Sequence, residues 1–71
     1  MMEILSPMGG SVWKIEVSEG DTVSVGDVLI ILESMKMEIP IEATESGIVE
    51  DIKVAEGDFV QENEVVILLG S

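Results

Sequence analysis

The chain repeats itself once. With an offset of 37, Gly10 to Glu33 lies over Gly47 to Gly70, and 11 of the 24 aligned positions are identical: Gly10, Val12, Ile15, Val17, Glu19, Gly20, Asp21, Val23, Val28, Ile30 and Leu32. Agreement of that extent within 71 residues implies two copies of one supersecondary unit, related by a pseudo-twofold axis. The fold must therefore be one that two short, similar halves can close together.

Each copy reads as strands and turns. Val28, Ile30 and Leu32 recur at a spacing of two, as do Val65, Ile67 and Leu69, so each set is expected on one face of a strand. The intervening Leu29, Ile31, Val66 and Leu68 are also apolar, which predicts cover on both faces. Ile15 with Val17, and Ile52 with Val54, predict a second strand in each copy. Val12 and Val49 stand three residues before Ile15 and Ile52, which breaks the period of two and predicts a bulge or bend in each. Glu19-Gly20-Asp21 and Glu56-Gly57-Asp58 are turns, and Gly26-Asp27 another, with Asn63-Glu64 in its place in the second copy. A short first strand, about Glu3 to Leu5, stops at Pro7. No segment between turn signals is long enough for a helical face. The expected fold is all-β, a small sandwich or flattened barrel whose halves cover each other's edges.

Composition narrows the chemistry. There is no Cys and no His, which removes thiolate nucleophiles, disulfides, thiolate metal sites and imidazole acid–base work. With one Trp, one Phe and no Tyr, the core must come from Val, Ile, Leu and Met. A chain this short leaves no room for a deep substrate cleft. Fifteen Asp and Glu oppose three Lys, a net charge of −12, which disfavours nucleic acid and anionic lipid as partners. No apolar run is long enough to cross a bilayer as a helix, and the N-terminus lacks the pattern of a secretion signal, so a cytoplasmic protein is expected.

The linker between the copies breaks its own turn rule. A reversal must fall between Leu32 and Ile39. If Met35 and Lys36 are the central pair of a two-residue turn, Ser34 faces Met37, Glu33 faces Glu38, and Lys36 stands at the tip. Such a turn prefers Asn-Gly or Gly-X, and departures of this kind concentrate at functional sites. Lys14 and Lys53 lie in strand positions beside acidic residues and read as ordinary solvent-facing groups. An exposed lysine amine carries its proton at neutral pH and is no catalyst unaided, but an enzyme presenting an activated acid can acylate it. Met35 and Met37 flank a charge at a reversal, where burial of both is hard to arrange; they read as recognition residues for a modifying enzyme rather than core filler.

Glu33-Ser34-Met35-Lys36-Met37-Glu38 resembles the attachment sequence of the biotinyl/lipoyl domain family. Ser6-Pro7-Met8, Glu19-Gly20-Asp21-Thr22-Val23, Gly26-Asp27-Val28-Leu29 and Glu56-Gly57-Asp58-Phe59-Val60 match the family's other signposts, so the resemblance covers essentially the whole chain as one domain, residues 1–71. It implies a flattened β-barrel of two four-stranded sheets (a barrel-sandwich hybrid), with the modified lysine on a hairpin. It implies covalent biotin on Lys36, attached by a biotin–protein ligase. The carrier would then move carboxyl groups from a biotin carboxylase to a carboxyltransferase, as a monomeric domain with no catalytic residues of its own. Two departures stand out: Gly9 where the family often has Pro, and no insertion between Thr22 and Asp27, where many bacterial acetyl-CoA carboxylase carriers have a protruding thumb. The short chain and its starting Met favour the small single-domain biotin/lipoyl attachment proteins.

The nearest rival is a lipoyl carrier, or one that accepts lipoate as well as biotin. Lipoyl domains typically place the lysine in Asp-Lys-Ala, whereas Met flanks Lys36 on both sides. An unmodified acidic docking module is a weaker reading. A metal site built from Glu19, Asp21, Glu56 and Asp58 is weaker still, because the four sit in two separate turns that fit no calcium-loop pattern.

Overall fold

The computed structural model describes all 71 residues and contains only strands and turns. The strands are β1 (Met2–Leu5), β2 (Gly10–Ile15), β3 (Thr22–Val23), β4 (Val28–Ser34), β5 (Met37–Glu42), β6 (Gly47–Ile52), β7 (Phe59–Val60) and β8 (Val65–Gly70). They form two four-stranded antiparallel sheets, ordered β1-β8-β6-β3 and β5-β4-β2-β7.

The two copies exchange a strand. β3 belongs to the first copy but pairs with β6 of the second, and β7 of the second pairs with β2 of the first. The exchange covers one edge of each three-stranded remainder. Backbone bonding repeats the sequence offset. The 14 backbone hydrogen bonds outside the strand ladders fall into seven pairs related by 37 residues. The Gly20 N–H donates to the Val49 carbonyl and the Gly57 N–H to the Val12 carbonyl, each at 2.8 Å.

The 13 buried apolar residues lie between the sheets and include Val12, Leu29, Ile30 and Leu32 with their counterparts Val49, Val66, Ile67 and Leu69. The break in period after Val12 and Val49, expected as a bulge or bend, is a bulge in both copies, with Trp13 and Glu50 as the extra residues. A further bulge alters the expected inward set of β4. Register shifts between Val28 and Ile30, so Leu29 and Ile30 are both buried while Val28 is exposed. Val66 plays the same part in the second copy, leaving Val65 only half-buried. The second strand of each copy also ends sooner than its sequence suggests, at Ile15 and Ile52. Val17 and Val54 lie beyond the strands yet still pack on the core, and Lys53 falls just past β6.

β1 and β8 pair side by side, with Met2 opposite Leu69, so the chain ends are neighbours. In the other copy, the β4–β5 hairpin occupies that place. The backbone enters β2 beside the hairpin, where Ser11 faces Glu33. It meets the row of the termini only after the turn at Glu19-Gly20-Asp21, where Thr22 faces Ile48 and Ile48 faces Gly70. Hairpin and termini thus occupy opposite ends of a body 34 Å long and 18 Å across.

Candidate functional site

The hairpin register is the one its sequence predicts. Ser34 faces Met37, Glu33 faces Glu38 and Leu32 faces Ile39. Met35 and Lys36 occupy the two turn positions with φ of 51° and 66°. Positive φ at both central residues is the signature of a type I′ turn, whose twist matches the flanking strands. For L-residues with side chains, that conformation costs about 1–2 kcal/mol each. The ladder on either side holds it: Leu32 is fully buried and Ile39 packs on the core, so the two strands are anchored immediately below the tip.

Close packing also buttresses the hairpin. Gly10 opens β2 beside it, and a Cβ there would stand 3.0 Å from the Glu33 carbonyl oxygen and 3.4 Å from the Ser34 Cβ. A glycine lets β2 lie this near the end of β4 without any shift, whereas a side chain would need the neighbouring strand to give by a few tenths of an ångström.

Everything at the tip faces water. Lys36 is exposed, Met35 is 92% exposed and Met37 63%. The methionines therefore contribute nothing to the core, as their place at a reversal predicts. The three lysines differ in surroundings. Lys53 forms an ion pair with Asp51 at 2.8 Å and, by donating to that carboxylate, holds the Asp51 carboxyl below its ordinary range. The Lys14 ammonium lies 5.8 Å from the centroid of the Trp13 ring. Lys36 has no ion-pair partner, although Glu33 and Glu38 face each other at the second cross-strand pair below the turn. The one surface cleft, lined by Leu5, Pro7, Pro40, Ile41, Glu42 and Thr44, contains none of the three tip residues.

The acidic turns serve the backbone. Asp21 accepts the Ser18 N–H at 2.9 Å and Asp58 the Ala55 N–H at 2.9 Å, each closing its own turn. Glu19 and Glu56 reach across to strands of the opposite copy. Ser6, counterpart of Ala43, is the buried polar side chain, and its hydroxyl donates to the Met8 carbonyl at 2.6 Å. What sequence reading passed over is the placement of the two aromatic residues: Trp13 and Phe59 are both solvent-exposed on the hairpin-bearing sheet. The signal was in the repeat, whose other copy has polar Glu50 and Thr22 at those positions.

An exposed primary amine, carried on a four-carbon stem at the tip of this hairpin, can enter another protein's active site while the domain stays folded. The amine is accessible and no cavity encloses it, so the tip could hold an acyl group through an amide.

Comparison with known proteins gives concordant results. Residues 1–69 match the family model described as Biotin-requiring enzyme. Over 50 residues the chain is 50% identical to the Biotin/lipoyl attachment protein of Bacillus subtilis, covering 70% of this chain and 68% of that one. It is 51% identical over 47 residues to the Biotinylated protein TB7.3 homolog of Mycobacterium leprae, covering 66% of each. The crystal structure of Kluyveromyces lactis urea carboxylase contains a matching region with a TM-score of 0.92 and 36% identity, covering 97% of this chain and 6% of that one. The chain thus spans about two thirds of the small relatives and a small fraction of the large enzyme. With a repeat that closes into two interlocked sheets, a lysine at the hairpin tip and a family match over residues 1–69, this chain belongs to the biotin/lipoyl family of biotin-requiring enzymes.

Proposed function

We propose that residues 1–71 act as one biotin carrier domain, with repeat halves at about 10–33 and 47–70, in which Lys36 is the residue acylated by a biotin–protein ligase. The observation that carries this reading is the isolation of Lys36: alone among the lysines, it stands without a partner at the apex of a type I′ turn. The family membership and the biotin-named relatives supply the identity of the group.

The chain's own part is presentation. The ligase would supply the acid as its acyl-AMP and take the proton; the Lys36 amine would attack the acyl carbon, the acyl–O bond to AMP would break with AMP leaving, and the resulting amide would carry no charge. Met35 and Met37 flank the amine as recognition surface. When bound, biotin supplies a site that accepts a carboxyl group at one enzyme and yields it at another, a biotin carboxylase and then a carboxyltransferase. Tethering replaces affinity, because a linked group works at an effective concentration of about millimolar. The domain itself is a carrier and not an enzyme. Its net charge of −12 disfavours self-association and suits a monomer.

The test is intact mass after co-expression with a biotin–protein ligase and added biotin, beside a Lys36→Ala control. The expected result is a gain of one biotinyl group in the wild type and none in the control. No gain in the wild type, with acylation by a lipoate ligase instead, would replace this reading by a lipoyl carrier.

A further inference from the structure

The chain has one Trp and one Phe, and the fold leaves both outside its core. Trp13 is 49% exposed and Phe59 64%. They share the outward face of the sheet β5-β4-β2-β7, the sheet that bears the hairpin. Glu38, Glu33, Ser11 and Phe59 form one exposed row across its four strands. Trp13 is the bulged residue two positions beyond Ser11, and the ammonium of outward-facing Lys14 lies over its ring. The pseudo-twofold axis provides an internal comparison: the matching positions on the other sheet carry Glu50 and Thr22. A small domain short of core would be expected to bury its largest apolar side chains first. Here they lie beside the hairpin.

The surroundings restrict what can cover this face. Its row ends in Glu33 and Glu38, within a chain of fifteen acidic and three basic residues. A second copy would bring the same acidic rim and an overall like charge. The complementary surface is a protein patch that is apolar at its centre and bordered by Lys or Arg. Footprint adds a second constraint. A specific protein contact buries about 800 Å² per partner, more than three tip residues offer. The exposed row from Glu38 to Phe59 crosses three inter-strand spacings, about 14 Å, and lies next to the tip.

We propose that this outward face, centred on Trp13 and Phe59, is the docking surface for the enzyme that acylates Lys36, a protein with a basic-rimmed apolar patch; the proposal rests on the carrier reading above. The aromatic residues anchor the enzyme, the acidic rim orients it, and the turn delivers the amine.

The experiment is steady-state acylation by a purified biotin–protein ligase, with KM for the carrier and kcat measured separately. The variants are Phe59→Thr and Trp13→Gln, which take the residue, or the neutral isostere of the residue, that the other copy already accommodates. Ile48→Ser, at an exposed site on the other sheet, is the control. KM should rise about tenfold in each aromatic variant, with kcat within about twofold of wild type and Ile48→Ser unchanged. Wild-type KM should also rise with added salt. Wild-type KM in both aromatic variants would overturn the docking surface while leaving the carrier reading intact. A wild-type chain that takes no biotin would overturn the carrier reading itself.

Discussion

Glu56 Oε2 accepts the backbone N–H of Ile15 at 3.0 Å, reaching from the second copy of the repeat into the first. Glu19 makes the reciprocal contact with the Ile52 N–H, at 3.4 Å. Both donors lie just past a bulge, still paired with β4 or β8 on one side but beyond the two residues at which β2 pairs with β7 and β6 with β3 on the other. This accounts for the doubled Glu-Gly-Asp: the Glu caps the opposite copy, the Gly takes a φ of 94° or 95°, and the Asp closes its own turn.

Glu56→Ala should therefore destabilise the fold by about 1 kcal/mol, the usual net value of one hydrogen bond, and Glu19→Ala by less because its bond is longer. Urea unfolding with unchanged m-values would measure both. Equal stability of wild type and Glu56→Ala would show that the cross-copy contact contributes nothing.

Met35→Asn should stabilise the protein by about 1 kcal/mol, since Asn adopts the left-handed conformation far more readily than Met. The same change should lower kcat/KM for acylation of Lys36 severalfold, because an exposed thioether is lost beside the amine. Thermal unfolding and ligase kinetics on the same samples separate the effects. A gain in stability with undiminished acylation would remove Met35 from the recognition surface.

Gly47→Ala should be far more damaging than Gly10→Ala, although the two positions match in the repeat. A Cβ at Gly47 would run into the carbonyl oxygen of Gly70, whereas at Gly10 the nearest backbone atom is the Glu33 oxygen at 3.0 Å. We expect a loss of about 3 kcal/mol for the first and about 1 kcal/mol for the second. Denaturation midpoints would rank them, and a reversed order would contradict the packing described.

Much of this was legible in the residues. Eleven repeated positions implied the symmetry, and the passage from Leu32 to Ile39 fixed the hairpin register through the Met35–Lys36 turn. The second bulge was not legible. Val28, Ile30 and Leu32 keep a perfect period of two, and only the register with β5 shows that Leu29 is the inward residue. Nor could the repeat reveal that β3 and β7 change places, because likeness between halves says nothing about which half a strand pairs with. Glu19 and Glu56 read only as turn residues, since their acceptor role depends on strands 33 and 41 residues away.

The pairing of β1 with β8 places both chain ends at one pole of the molecule and Lys36 at the other. Polypeptide joined at either end therefore starts roughly the length of the body away from the tip. The unit behaves as a bead that can be threaded at any point along a longer string while its working end still points outward. A region with the same shape occupying 6% of a large urea carboxylase is one such threading.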